Sequence, residues 1–120
     1  MKRDIDVGTL RAAFWTLRAL RSVRGDLGRG VLRELVVPPP PQLPASAARG
    51  VNAVLRRRPN TFLERSLVLQ RWHAAHGSVR DVVIGVTGPS DFGAHAWLEG
   101  ERDGGASFAE LSRIRLVEPA

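Results

Sequence analysis

Between residues 7 and 20 the large apolar side chains fall at Val7, Leu10, Phe14, Leu17 and Leu20, the three- and four-residue spacing of one helix face. Asp4 and Asp6 near the amino end and Arg18, Arg21 and Arg24 toward the carboxyl end suit the dipole of such a helix. The pattern predicts an N-terminal helix with a single apolar stripe that needs a partner. A shorter amphipathic piece is expected from Gly30 to about Val37. Pro38 to Pro41 then impose an extended, polyproline-like course that cannot continue a helix, and Pro44 closes the same connector. These prolines read as a stiff crossover inside one domain, with a docking ligand for an aromatic groove as the alternative.

A second helix is predicted from about Ala47 to Arg57, with Ser46 as N-cap and Ala47, Val51, Val54 and Leu55 as its apolar face. Pro59 ends it, and Gly50 weakens it by about 1 kcal/mol relative to alanine. Asn60 and Thr61 offer side-chain oxygens at the mouth of a third helix, about Phe62 to His76, which Gly77 terminates. Leu63, Leu67, Val68, Leu69, Gln70 and Trp72 give this helix a wide buried face at the centre of the core. Val82, Val83, Ile84 and Val86, interrupted only by Gly85, read as a buried strand. A turn over residues 87–91 leads to a second strand from about Phe92 to Glu99, in which alternation puts His95 and Trp97 on one face. Another turn at residues 101–105, a short segment with Phe108 and Leu111, and a strand at residues 114–117 complete the pattern. The fold class is α+β: a single domain over residues 1–120, with an N-terminal helical and proline-rich part (1–45) and a core of helix and antiparallel sheet (46–120).

With 120 residues and 43% apolar content, the chain has material for one modest core. Runs such as Leu35–Val37 and Leu67–Leu69 fall far short of the roughly 20 residues that span a bilayer, and the charged start at Met1–Asp4 leads into no apolar signal region. A soluble, cytoplasmic protein without a membrane partner is expected. There is no cysteine, hence no disulfide and no thiolate metal site, and His73, His76 and His95 make a poor set for zinc. No metal or cofactor is expected, since Gly85, Gly88 and Gly93 also lack the spacing of a phosphate cradle. The net charge of +6 comes almost entirely from arginine, Lys2 being the only lysine. Such a surface attracts phosphate or an acidic peptide at long range. Yet only Arg56-Arg57-Arg58 is a dense run, and the aromatics sit inside apolar patterns, which argues for a solvated basic surface over nucleic-acid binding.

One stretch carries more specific information. Thr61-Phe62-Leu63-Glu64-Arg65-Ser66-Leu67, Gly77, Val83-Ile84-Gly85-Val86 and Phe92-Gly93-Ala94-His95-Ala96-Trp97-Leu98-Glu99 occur in that order. In this the chain resembles the B2 proteins of lasso-peptide biosynthesis, leader peptidases with a transglutaminase-like, papain-related fold. The likeness covers about Ala47 to Leu111, and the preceding helical region is compatible with a short stand-alone B2 protein. In that family a Cys-Leu pair opens the central helix, and a later strand carries His-Ala-Trp followed by an acidic residue. Carried over, the nucleophilic cysteine falls on Phe62, the catalytic histidine on His95 and its aromatic neighbour on Trp97. The imidazole-orienting acid comes after the histidine strand, where Asp103 is the only aspartate and Glu99 and Glu101 are the other choices.

A phenyl ring has no lone pair to offer a carbonyl carbon, so cysteine–histidine catalysis is lost here or supplied elsewhere. Thr61 faces about 100° away around the helix and Ser66 lies a full turn further along. Either hydroxyl needs stronger base assistance than a thiol, and Ser66 is also expected to bond a local backbone group. Glu64 and Arg65 are expected on a solvated surface, His95 is a pocket base or a hydrogen-bonded strand histidine, and Trp97 is core or pocket wall. Phe62 is expected as an apolar plug in a pocket adapted to it or as an ordinary core phenylalanine, because forcing a ring into space meant for sulfur costs roughly 1–3 kcal/mol. The resemblance then implies a catalytically impaired B2-like protein that binds precursor peptide or pathway partners, with Trp97 and Thr61 as peptide contacts. The alternatives are an active leader peptidase or acyl transferase using a non-cysteine residue and, more remotely, a basic nucleic-acid-binding protein. The partners the resemblance implies are the precursor's leader peptide, a leader-recognition protein and an ATP-dependent macrolactam synthetase.

Overall fold

A computed structural model describes residues 6–28, 37–86, 94–100 and 109–115. The chain runs α1 (Val7–Gly28), a 3-10 turn (Ala45–Ala47), α2 (Ala48–Arg57), α3 (Phe62–Ala75), β1 (Val82–Val86), β2 (Ala94–Leu98) and β3 (Ala109–Ile114). This is the α+β arrangement read from the sequence. The helix expected from Gly30 lies outside the described residues except for Val37, as do both turns around β2, Phe108 and the second half of the strand expected at 114–117. The last described strand lies earlier, at Ala109–Ile114.

The N-terminal helix forms, but of the expected stripe it buries only the end nearer the carboxyl terminus, Leu20 with Leu17 half-buried. Ala12, Trp15, Thr16, Ala19, Leu20 and Val23 face inward, while Val7, Leu10 and Phe14 are exposed. The reason is the partner. A Cβ placed on Gly50 of α2 would lie 2.1 Å from the Thr9 carbonyl oxygen and 3.0 Å from the Ala13 amide nitrogen. The two helices therefore meet nearly backbone to backbone at Thr9 and Ala13, a geometry that leaves no room for a large side chain at that crossing. Gly50, a weakness when α2 is taken alone, is what permits the seam. The helix start is fixed by Asp6, whose carboxylate accepts the Thr9 amide hydrogen at 2.7 Å.

Ser46 does not cap α2. It lies inside the 3-10 turn, and the N-cap position belongs to Ala47, whose side chain caps nothing. The expected apolar face holds, with Ala47 and Val51 buried and Val54 and Leu55 packed against the core. Arg56 and Arg57 occupy the last turn, where positive charge suits the dipole, and the whole Arg56–Arg58 run is exposed. Asn60 serves the end of α2 rather than the start of α3: its amide donates to the Leu55 and Arg58 carbonyls, each at 2.8 Å.

Helix α3 is the centre of the core. Leu67, Val68, Leu69 and Trp72 join Trp15, Val23, Val51, Val82, Ala96 and Leu98 in one buried cluster. The three strands are antiparallel in the order β2-β1-β3, with a register shift between Ile84 and Gly85 opposite β3. Buried Gln70 ties helix to sheet, its amide donating to the Arg80 and Ile114 carbonyls at 2.9 Å each. The proline strap is held at both ends. Trp15 Nε1 donates to the Pro38 carbonyl at 2.9 Å, and the His76 ring lies between the carbonyls of Trp72 (2.8 Å) and Leu43 (2.9 Å). That engagement places His76 in the framework. Among the described residues no group of three or more His, Cys, Asp or Glu could hold a metal ion, and no helix is long and apolar enough to cross a membrane.

Candidate functional site

The site expected from the sequence depends on the N-terminus of α3, and a capping box builds that end. Thr61 has extended backbone angles and its Oγ1 accepts the Glu64 amide hydrogen at 3.1 Å, while Glu64 Oε1 accepts the Thr61 amide hydrogen at 2.9 Å. The hydroxyl proposed as a peptide contact or substitute nucleophile is thus the helix cap.

Glu64 is not the solvated residue expected. It is buried, and Arg24 of α1 reaches across to it, Nε to Oε2 at 3.1 Å and Nη2 to Oε1 at 3.2 Å. The same Nη2 donates to the Pro59 carbonyl at 2.7 Å, so one guanidinium fixes the helix start and the loop that leads into it. Burial pushes the Glu64 carboxyl up, but the Arg24 hydrogen bonds, the Thr61 amide and the arginine charge outweigh it and hold the group below the usual glutamate value. Arg24 is raised in turn, chiefly by its hydrogen bond to Glu64. Sequence reasoning missed both residues, although the Thr61-x-x-Glu64 spacing is a legible capping signature.

On this fixed end Phe62 is the first helical residue, and its ring stands against His95, with centroids 4.3 Å apart in an edge-on arrangement. His95 stacks in turn with Trp97, at 5.9 Å and 25° between planes. Strand alternation put the last two on one face, as read from the sequence, and the packing of α3 on the sheet supplies the third ring. Gly85 lies directly opposite His95 in the β1–β2 pairing, so β1 places no side chain beside the imidazole there. The Phe62 ring is neither a core residue nor a sealed plug: it is 60% exposed. The overpacking argument therefore does not apply, because the ring extends over the surface instead of filling a space sized for sulfur.

The remaining candidates are distributed differently. Ser66, one turn below Phe62, is fully buried, and its Oγ has no hydrogen-bond partner, contrary to the expected local backbone bond. Glu99 is exposed, with Oε2 2.7 Å from Arg113 Nη1, a cation that also lies 3.4 Å from Asp81. The hydrogen bond from Arg113 and the Asp81 backbone hold the Glu99 carboxyl below its usual value. Asp103 and Glu101 fall outside the described residues.

Chemically, the arrangement offers an imidazole between two aromatic surfaces at the mouth of a helix. A helix N-terminus beside an imidazole would favour a thiolate, but position 62 carries only carbon and hydrogen beyond its backbone. The site as it stands can stack on a flat or apolar group and exchange a proton through His95. It cannot form an acyl bond at residue 62.

The family model described as the transglutaminase-like superfamily matches residues 8–113. That span takes in α1 as well as the helix and strands that form the site. No curated protein matches the chain. No solved structure matches it either.

Proposed function

The chain belongs to the transglutaminase-like superfamily, and from that premise we propose that it is a B2-like protein of lasso-type peptide biosynthesis that binds precursor peptide or a pathway partner without cysteine catalysis. The observation that carries the reading is the Phe62–His95 contact: the position where the resemblance puts the nucleophile lies at a capped helix start and 4.3 Å, ring to ring, from the histidine. The ordered match from Thr61 to Glu99 supports the finer assignment. Exposed Phe62 and the half-buried His95 and Trp97 rings form a surface on which an extended peptide can lay a ring or a proline, and such stacking contributes about 0.5–1.5 kcal/mol per pair.

A second reading, an active leader peptidase or acyl transferase of the same fold, rests on the orphan hydroxyl of Ser66. A buried hydroxyl without a partner costs stability, and in an enzyme it would be held in reserve for substrate. Full burial counts against it, since a carbonyl carbon must reach the oxygen.

The experiment is mass-spectrometric detection of leader cleavage. The precursor peptide and the leader-recognition protein from the same gene neighbourhood would be incubated with wild type, Phe62→Cys and His95→Ala/Phe62→Cys. No cleavage by wild type, together with cleavage by Phe62→Cys that the added His95→Ala removes, is the expected outcome. Cleavage by wild type would overturn the proposal and direct attention to Ser66, Thr61 and His95.

A further inference from the structure

On the opposite account of the same chain, the large apolar residues that α1 leaves outside have their own setting. Phe14 is 66% exposed and lies in a groove of about 400 Å³ between α1 and the proline strap, lined by Arg11, Phe14, Trp15, Arg18 and Pro38 to Pro41. Among the described residues the groove shares none with the Phe62–His95–Trp97 site.

Three observations define what would fit. First, among the described residues the lining carries two guanidinium groups and no carboxylate, and neither Arg11 nor Arg18 has a hydrogen-bond or ion-pair partner there. An occupant must therefore bring negative charge to be complementary. Second, the wall opposite α1 is a run of prolines, which can accept hydrogen bonds through carbonyls and donate none. A peptide backbone supplies the matching N–H donors, whereas a nucleic-acid phosphodiester backbone supplies only acceptors. Third, the groove is preformed. The Trp15 indole holds the strap by the Pro38 carbonyl, the His76 ring lies against the Leu43 carbonyl, and the Trp72 ring packs tilted against both, 5.8 Å from Trp15 and 4.4 Å from His76. Prolines have little conformational entropy left to lose, so binding against this strap costs less ordering than binding to a loop.

We propose that the α1–proline groove is a docking site for an acidic, extended peptide segment that places one aromatic or branched aliphatic side chain against Phe14 and carboxylates on Arg11 and Arg18. Phe14 and the prolines supply the apolar floor and the arginines fix direction, the combination used by grooves that read a few anchor residues.

The test is fluorescence anisotropy with a panel of fluorescein-labelled synthetic peptides. Each pairs glutamates on both sides of a single tryptophan, leucine or phenylalanine, and a matched panel has lysine in place of every glutamate. At least one acidic peptide is expected to bind, with affinity falling roughly tenfold or more on Arg11→Glu/Arg18→Glu and on Phe14→Ala. The charge-reversed variant is expected to gain binding to the corresponding lysine peptide. All three side chains border open solvent, and circular dichroism would show the variants folded. Failure of every acidic peptide to bind, equal affinity for wild type and charge-reversed protein, or tighter binding of a single-stranded oligonucleotide than of any peptide would overturn the proposal. None of these readouts involves leader cleavage or position 62, so the groove can fail while the B2-like reading stands, and the reverse.

Discussion

Between α1 and α2 the chain is held by closeness. Gly50 brings one helix backbone against the Thr9 carbonyl and Ala13 amide of the other, and the inward side chains of α1 include Ala12, Thr16 and Ala19. Between α3 and the sheet it is held by bulk and by one directed polar group. Leu67, Val68 and Trp72 share a cluster with Val82 and Leu98, and Gln70 satisfies the Ile114 carbonyl of β3 and the Arg80 carbonyl just before β1. The first interface depends on what is missing from the side chains, the second on what they fill. A substitution that adds atoms should therefore damage the first most, and one that removes atoms the second.

The largest effect is expected from Gly50→Val. Even a Cβ would lie 2.1 Å from the Thr9 oxygen, which is backbone and cannot rotate away. The helices must separate, and a loss of about 4 kcal/mol or more, or failure to fold, is expected from such overpacking. Urea denaturation would measure it, and a loss under about 1 kcal/mol would mean that the seam is not tight. Leu67→Ala tests the other interface in the opposite sense. Leu67 is 1% exposed, and removing its branched end should cost about 3 kcal/mol through lost burial and a residual cavity. If Gly50→Val proved milder than Leu67→Ala, the contrast between the two interfaces would be wrong.

Legibility in the sequence follows the same division. Helix α3, strand β1 and the common face of His95 and Trp97 were readable because large apolar residues and β-branched runs carry a strong period. On α1 the same criterion chose Val7, Leu10, Phe14, Leu17 and Leu20, of which Leu20 is buried, Leu17 half-buried and the first three exposed. Bulk marks a buried face only where the partner leaves room for it, and nothing in the α1 segment reports the glycine 40 positions away. Phe62 drew attention in the sequence only through the resemblance around it. Its exposure was not legible, since hydrophobicity gives no sign that a ring lies at a helix start over a neighbouring imidazole. Glu64 was misread for a related reason: its partner Arg24 comes from α1, and pairing across 40 residues leaves no local trace.

Glu64→Gln sharpens the comparison at the point where α1 reaches α3 by charge instead of packing. Glutamine keeps the shape and part of the capping box but loses the charge-assisted bonds to Arg24. About 1–2 kcal/mol is expected at neutral pH, discounted because Arg24 is largely open to water. The folded state holds the Glu64 carboxyl below its ordinary value. Its stabilisation is therefore fully present above the unfolded pKa, near 4.3 for glutamate, and is lost as pH falls through the lower folded value. Wild type and Glu64→Gln should converge in stability on acidification through that window. Parallel curves down to the lowest pH would show that the ion pair contributes nothing.

The smallest stability effect is expected at the residue on which the proposed function leans most. Phe62 is mostly exposed and among the described residues its ring contacts only that of His95, so Phe62→Ala should change the free energy of unfolding by about 1 kcal/mol or less. Measured beside Gly50→Val and Leu67→Ala, that near-neutrality would separate a ring that holds nothing together from residues that do. If stability stays and affinity for precursor peptide falls, the ring acts as a binding surface beside His95. If Phe62→Ala instead costs as much as Leu67→Ala, the ring belongs to the core in solution, and the aromatic platform at the mouth of α3 does not exist as a site.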